Sequence, residues 1–259
     1  MRHLVLGNGN LGNSLANELL KKYPDVMILT ASNGWRYPDR GLTAIYDFYP
    51  DHIWVTCGAG SVEQAKVSYI PFTDLHIRLP IELTQKTNTR TSLHFFSTDY
   101  VLDNEPQQSL YALSKQHMEA AIKIIKRPKT YVYRVGSLYG TYKPNQCFPY
   151  KLKKNSLKNT IKLPDNRVIP TPTDWLAKVL INNLEHLPYE TKNYHVAPQS
   201  DCSVRVWGEK ILGVPIESND LDLSRPLLTT RPTITTQETW LDLWNEREPE
   251  WQKILGVIR

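Results

Sequence analysis

Cysteine is scarce in this chain: Cys57, Cys147 and Cys202 are odd in number and lie far apart, which excludes a disulfide framework and a zinc ribbon. A reducing compartment suits such a chain, and the cytoplasm is the expected one. The seven histidines are scattered, with no His-Glu-x-x-His and no pair at metal-ligand spacing, so no metal is expected. No apolar run approaches the roughly 18 residues that a membrane span needs, so no membrane association is expected. The stretch Met1 to Leu6 runs directly into glycines, without the long apolar region or cleavage site of a signal peptide. Internal repeats and low-complexity tracts are also absent.

What is present fits an ordered globular protein. Over 259 residues the hydrophobic share is 41% and the charged share 22%, enough apolar material for a full core. The net charge of +5 is unevenly spread. From Thr141 to Pro170, Lys143, Lys151, Lys153, Lys154, Lys158, Lys162 and Arg167 face only Asp165, so seven bases less one acid leave +6. Such a patch suits a phosphorylated ligand, and a solvated lysine-rich face explains it equally well. Nucleic acid is not an expected partner, because aromatic interleaving is thin and no binding motif accompanies the lysines.

Leu4-Val5-Leu6 reads as a buried strand, and Leu15, Leu19 and Leu20 as one face of a helix. Between them Gly7, Gly9 and Gly12 match Gly-x-Gly-x-x-Gly. A glycine turn can be merely structural, but strand, glycine turn and helix in that order are what a dinucleotide pyrophosphate requires. Gly7, Gly9, Asn10, Leu11 and Gly12 are therefore expected cofactor contacts, with Cys57, Gly58 and Ala59 beyond the third strand. Further strands are expected at 26–29, 53–55, 93–96 and 130–135, and helical stretches at 42–49 and 111–126. Strands alternating with helices make a parallel sheet. The expected fold class is α/β, a Rossmann-type doubly wound parallel sheet with a small C-terminal substrate-binding region.

Residues 1–135 are expected to form the NAD(P)-binding part. Residues 136–259 are expected to be mainly substrate-binding, with elements that complete the sheet, interleaved with the first part in one compact unit. A strand is expected at 160–163, a long helix at 173–186, a strand at 194–196 and a helix at 204–212. The capping box of Thr235 and Glu238 is expected to open the last helix.

An acid at the end of the second strand would bind the ribose hydroxyls of NAD, and none is there. The chain instead runs Thr30-Ala31-Ser32-Asn33-Gly34-Trp35-Arg36. Ser32 and Arg36 are expected to meet a 2′-phosphate, so NADP(H) is the preferred cofactor and NAD(H) the second choice.

Tyr111 and Lys115 stand four residues apart, one above the other on a helix face. A phenol that exchanges a proton at neutral pH needs a nearby cation, because free tyrosine titrates near pH 10. Tyr139 with Lys143 and Tyr150 with Lys154 repeat the spacing, which can also be a surface pair. Only Tyr111 opens a regular amphipathic helix just after the fourth strand. That strand ends in Ser97-Thr98, near the glycine turn, because ligands of such sheets bind at the carboxyl ends of the strands. Thr98 can then offer its hydroxyl to the same carbonyl, or serve as a cap.

Phe96-Ser97-Thr98-Asp99-Tyr100-Val101 followed by Tyr111-x-x-x-Lys115 resembles the extended short-chain dehydrogenases, and within them the dTDP-4-dehydrorhamnose reductases. Tyr49 to Ile53, Val62 to Ala65, Arg134 to Gly140, Pro170 to Ala177 and Arg231-Pro232 agree with that family. The resemblance implies NADPH-dependent reduction of a nucleotide-linked 4-keto sugar. Thr98 would polarise the keto oxygen, Tyr111 protonate it, and Lys115 hold the nicotinamide ribose and tune Tyr111. Asp99, Tyr100, Lys143 and Arg167 would bind the nucleotide sugar. A homodimer is compatible with the sequence. The same scaffold serves epimerases and dehydratases that retain NAD, and non-catalytic NADP-binding regulators. The chain departs from the family in its tighter glycine spacing, in a shorter loop between Thr98 and Tyr111, and in Leu138 where the family has a sugar-packing tryptophan. His76 falls near the place of an active-site-region asparagine.

Overall fold

The computed structural model describes residues 1–58, 67–102, 109–219, 234 and 236–258. Six parallel strands form the central sheet: β1 (His3–Leu6), β2 (Val26–Leu29), β3 (His52–Val55), β4 (Ser92–Thr98), β5 (Thr130–Val135) and β6 (Lys192–Val196). Their spatial order is β2-β1-β3-β4-β5-β6, and every pair is parallel. The chain moves outward from β1 in both directions, so the order switches between β1 and β3. Crevices for ligands open at the carboxyl ends of such a switch.

Side-chain alternation sends each strand's residues to two cores. Val5, Trp54, Tyr131, Tyr133 and Val135 meet helix α1 (Asn10–Leu20) and the helix Thr173–Asn182 on one face. Leu4, Leu6, Ile53, Leu93, Phe95 and Val132 meet Leu79, Leu83, Met118 and Ile122 on the other. Met118 and Ile122 belong to α4 (Leu110–Ile125), which follows α2 (Thr43–Phe48) and α3 (Leu79–Lys86) in the chain. The sheet is doubly wound.

Beyond Gly136 the chain builds a smaller core from Tyr139, Cys147, Leu152, Trp207, Trp240, Trp244 and Trp251. Several short pairings surround it, including Lys162–Pro164 with Glu217–Asn219 and Arg167–Val168 with Cys202–Ser203. The same stretch returns twice to the large sheet, through β6 and through Thr173–Asn182. The helix expected to reach 186 ends at Asn182 and tightens into a 3₁₀ turn at Leu184–His186. Among the described residues no helix is long and apolar enough to cross a membrane.

The last helix, Trp240–Gly256, starts later than its sequence signal implies. Its capping box pairs Thr239 with Asp242, with Thr239 Oγ1 accepting from Asp242 N at 3.2 Å. Glu238 instead accepts from Trp175 Nε1 at 2.9 Å, which ties the chain before the helix to the main core. Thr235 lies outside the described residues, as do Val62 to Ala65, Arg231-Pro232 and Ala59.

Candidate active site

Gly7-Asn8-Gly9 turns the chain from β1 into α1. Gly7 has φ of 111°, and a Cβ there would lie 2.8 Å from the Cys57 nitrogen, so the chain leaving β3 closes against it. A Cβ on Gly12 would lie 2.1 Å from the Gly7 carbonyl oxygen, which is the close helix-on-strand packing that the third glycine permits. Gly9 caps the helix with extended backbone, and a Cβ on it would meet no protein atom within 4 Å. The first turn of α1 carries no acid. Its free N–H groups and positive dipole end thus face open space that suits a phosphate.

At the end of β2 the Ser32 hydroxyl lies 2.6 Å from that of Thr30 and accepts from Asn8 Nδ2 at 3.3 Å. Arg36 is exposed just beyond. Ser32, expected to read the adenine ribose, therefore stands beside the glycine turn.

Thr98 is the last residue of β4. Its hydroxyl donates to Asp99 Oδ1 at 3.1 Å and accepts from Tyr100 N at 3.3 Å, so it caps the turn Asp99–Val101 while facing the strand ends. The capping and active-site readings of Thr98 are both physically available at once.

Tyr111 lies in the first turn of α4, whose N-cap Ser109 accepts from Ala112 N at 3.2 Å. Tyr111 is half-buried. Phe72, His76 and Tyr100 meet its ring edge to face, with centroids 6.3, 5.7 and 6.3 Å away. Burial, Tyr100 and Asp99 push its phenol well above the usual tyrosine range, and a hydrogen bond with Thr98 pulls the other way. Phenol and threonine hydroxyl therefore meet at one point.

Lys115, one turn further, is buried and donates from Nζ to the Phe96 carbonyl at 2.8 Å. Burial lowers its pKa to about 8, against the opposing pull of Cys57 and Glu119. The Cys57 thiol is pushed up to about 12 by burial, with the Lys115 charge opposing. Glycine turn, Cys57 and Lys115 thus form a continuous wall. The groups acting on Tyr111 are Tyr100, Asp99 and Thr98, whereas Lys115 is turned toward the strand and leaves the phenol high.

The other two tyrosine and lysine pairs are elsewhere. Tyr139 is fully buried against Trp207, Trp244 and Trp251, and Tyr150 packs on the same small core. Of the expected substrate residues, the buried Asp99 and half-buried Tyr100 join Thr98 and Tyr111. Arg167 does not: its Nε donates to Asp201 Oδ2 at 2.9 Å in an exposed pair. Lys143 stands at the glycine turn, with Nζ 3.0 Å from Asn8 Oδ1.

His76 lies in a π-helical stretch, Thr73–Arg78, and is buried. Its Nδ1 is 2.9 Å from Ser114 Oγ, which itself donates to the Tyr111 carbonyl at 2.7 Å. The serine proton is spent on that carbonyl, so Nδ1 carries the imidazole proton. Burial and the Lys115 charge lower its pKa to about 2, so it is neutral. Ser114 gave no sequence signal apart from standing between Tyr111 and Lys115.

A parallel sheet with a glycine turn at its first strand end, a threonine at the end of β4, and a tyrosine and a lysine on the helix beside it, fits the extended short-chain dehydrogenase/reductase class. The family described as RmlD substrate binding domain matches residues 1–215, and the chain belongs to that family. A search of the curated proteins found no match. Among solved structures, the chain is similar to a dTDP-4-dehydrorhamnose reductase from Clostridium acetobutylicum (TM-score 0.74, 21% identity, 99% of this chain and 100% of that one). It is also similar to a dTDP-4-dehydrorhamnose reductase from Bacillus anthracis in complex with NADP (TM-score 0.68, 22% identity, 93% and 92% covered). A UDP-glucose 4-epimerase from Thermus thermophilus in complex with NAD shares the fold as well (TM-score 0.68, 18% identity, 93% and 96% covered).

Proposed function

We propose that this protein is an NADPH-dependent reductase of a nucleotide-linked 4-keto sugar, of the dTDP-4-dehydrorhamnose reductase kind. The observation that carries this reading is the meeting of the Thr98 hydroxyl and the Tyr111 phenol at the end of β4, on the wall that runs through Lys115 and Cys57 to the glycine turn. The family match and the NADP complex of a similar structure support it.

Gly7, Gly9, Asn10, Leu11 and Gly12 would hold the cofactor pyrophosphate, and Ser32 and Arg36 the ribose end, where the missing acid favours a 2′-phosphate. NAD(H) is the second candidate. A dihydronicotinamide held there would supply a hydride. The raised pKa of Tyr111 keeps its phenol protonated at neutral pH, the form in which it can give a proton to a carbonyl oxygen. Thr98 would turn its hydroxyl from Asp99 to that same oxygen, and the Lys115 ammonium would hold the ribose. Asp99 and Tyr100 would line the sugar side. Residues 136–259 would supply most of the remaining substrate contacts.

Incubation with NADPH and a panel of nucleotide 4-keto sugars, followed by the loss of nicotinamide absorbance, tests the reading. Cofactor consumption with a nucleotide 4-keto sugar is expected, with NADPH used better than NADH. Purification with a tightly retained NAD and no net consumption would overturn it.

A further inference from the structure

We infer that Lys143, which comes from the far half of the chain, is a ligand of the cofactor phosphates. The inference rests on the dinucleotide reading above and deepens it.

Its first support is electrostatic. The Lys143 ammonium is half-buried, and Asn8 Oδ1 at 3.0 Å is a neutral partner. Among the described residues Lys143 has no carboxylate partner. It stands beside the N-terminus of α1, an eleven-residue helix with no acid in its first turn. An ammonium next to the positive end of a helix dipole is an unfavourable pairing unless an anion lies between them. The open space over Gly9 is where that anion fits.

The second support is that the position is built. Asn10 holds the backbone of Lys143 from both sides, accepting from its N–H at 2.7 Å and donating to its carbonyl at 3.0 Å. The same Asn10 amide reaches Cys147 Sγ at 3.2 Å. A Cβ on Gly140 would sit 2.3 Å from Thr173 Oγ1 and 3.1 Å from the Asn10 Cβ, so the loop can lie this close only with glycine there. Ser14 donates to Thr173 Oγ1 at 2.9 Å, and Asn17 bonds to the Tyr142 hydroxyl. Asn10, Ser14 and Asn17 recur at helical spacing, giving α1 a polar seam for this loop.

The third support is placement. Asn8 bridges Lys143 on one side and Ser32 on the other. The row Lys143-Asn8-Ser32 therefore spans from the glycine turn to the end of β2, along the path between pyrophosphate and adenine ribose. Either the pyrophosphate or the 2′-phosphate would be met by this ammonium, and the experiment separates them.

Equilibrium binding of NADPH and NADH, read by protein fluorescence quenching, is measured for wild type, Lys143→Met and the exposed control Lys158→Met. Lys143→Met is expected to weaken binding about ten- to hundredfold, as for a lost charge-assisted hydrogen bond, while Lys158→Met binds as wild type does. A loss confined to NADPH assigns Lys143 to the 2′-phosphate, and an equal loss for both cofactors assigns it to the pyrophosphate. Unchanged binding in Lys143→Met overturns the inference while leaving the dinucleotide reading intact, whereas failure of wild type to bind either cofactor overturns that reading. Should Lys143→Met also lower the melting temperature, Lys143→Arg decides: restored binding upholds the inference, and continued loss overturns it.

Discussion

The imidazole of His76 stands edge-on to the ring of Tyr111, with centroids 5.7 Å apart and planes at 79°. With Phe72 and Tyr100 it fixes the plane in which the phenol swings, and through Ser114 it is tied to the backbone of the same helix turn. His76→Ala is expected to lower kcat about ten- to hundredfold through misplacement of Tyr111, with little change in cofactor KM. Because burial keeps this histidine neutral down to about pH 2, His76→Asn should leave the shape of the pH profile unaltered. An inflection near pH 6.5 that vanishes in His76→Asn would show the residue acting as an acid or base instead.

Tyr111→Phe removes the proton donor of the proposed reaction and keeps the ring contacts. A fall in kcat of about 10²- to 10⁴-fold is expected, the usual range for one positioned acid. Ring packing is kept, so circular dichroism should match wild type and stability should fall by no more than the loss of one hydrogen bond, about 1 kcal/mol. Full activity in this variant would refute the assigned role. Thr98→Val tests the partner hydroxyl, and Thr98→Ser should restore most of what Thr98→Val loses.

The main sheet was legible because its strands are short apolar runs separated by polar turns and helical stretches, and because Gly7, Thr98 and Tyr111 each sit at a strand end or helix start. Lys143 was legible as one member of a basic stretch, and the resemblance gave it to the nucleotide sugar, not to the glycine turn. Its place depends on a contact with Asn10 across 133 positions of sequence, and no local pattern encodes that. The capping box at Thr239 was hidden by a similar spacing at Thr235 and Glu238, where Glu238 serves Trp175. His3, His52 and His94 gave no sign of joining one another, because their meeting is a matter of strand register.

Burial brings Lys115 to a pKa of about 8, so its charge is present at neutral pH and lost as pH rises through that value. Both the affinity for cofactor and kcat/KM are expected to decline above about pH 8. A titration of cofactor binding from pH 6 to 10 checks this, and a flat profile across that span would contradict the assignment. Lys115→Met should bind weakly throughout and show no such limb.

Gly9 and Gly12 differ in what a methyl group would strike. Gly9→Ala meets only open space on the protein side and keeps an allowed backbone, so the fold should hold while cofactor binding weakens by tenfold or more. Gly12→Ala would drive a carbon to 2.1 Å from the Gly7 carbonyl, and a loss of several kcal/mol in stability is expected. Comparison of melting temperatures with NADPH affinities separates the two effects. Equal losses of stability in both variants would contradict the open cradle.

Across the sheet, His3 stacks on His52 at 4.8 Å, His52 Nδ1 lies 3.0 Å from His94 Nε2, and His94 Nδ1 lies 3.0 Å from the Tyr133 hydroxyl. Burial lowers His3 to about 3 and His52 to about 4, and holds His94 well below its ordinary value. All three are neutral in the fold, whereas the unfolded chain protonates them near pH 6.5. The unfolded state therefore binds more protons as pH falls, and stability present above about pH 6.5 is lost on the way down to pH 4 or 3. Each histidine contributes at most about 1.4 kcal/mol per pH unit in that window. Melting temperature measured from pH 7.5 to 4 should drop steeply below pH 6.5, and His52→Phe should flatten that limb even where it lowers the plateau. An acid limb as steep in His52→Phe as in wild type would mean that the carboxylates, and not this histidine row, set the acid limit of the fold.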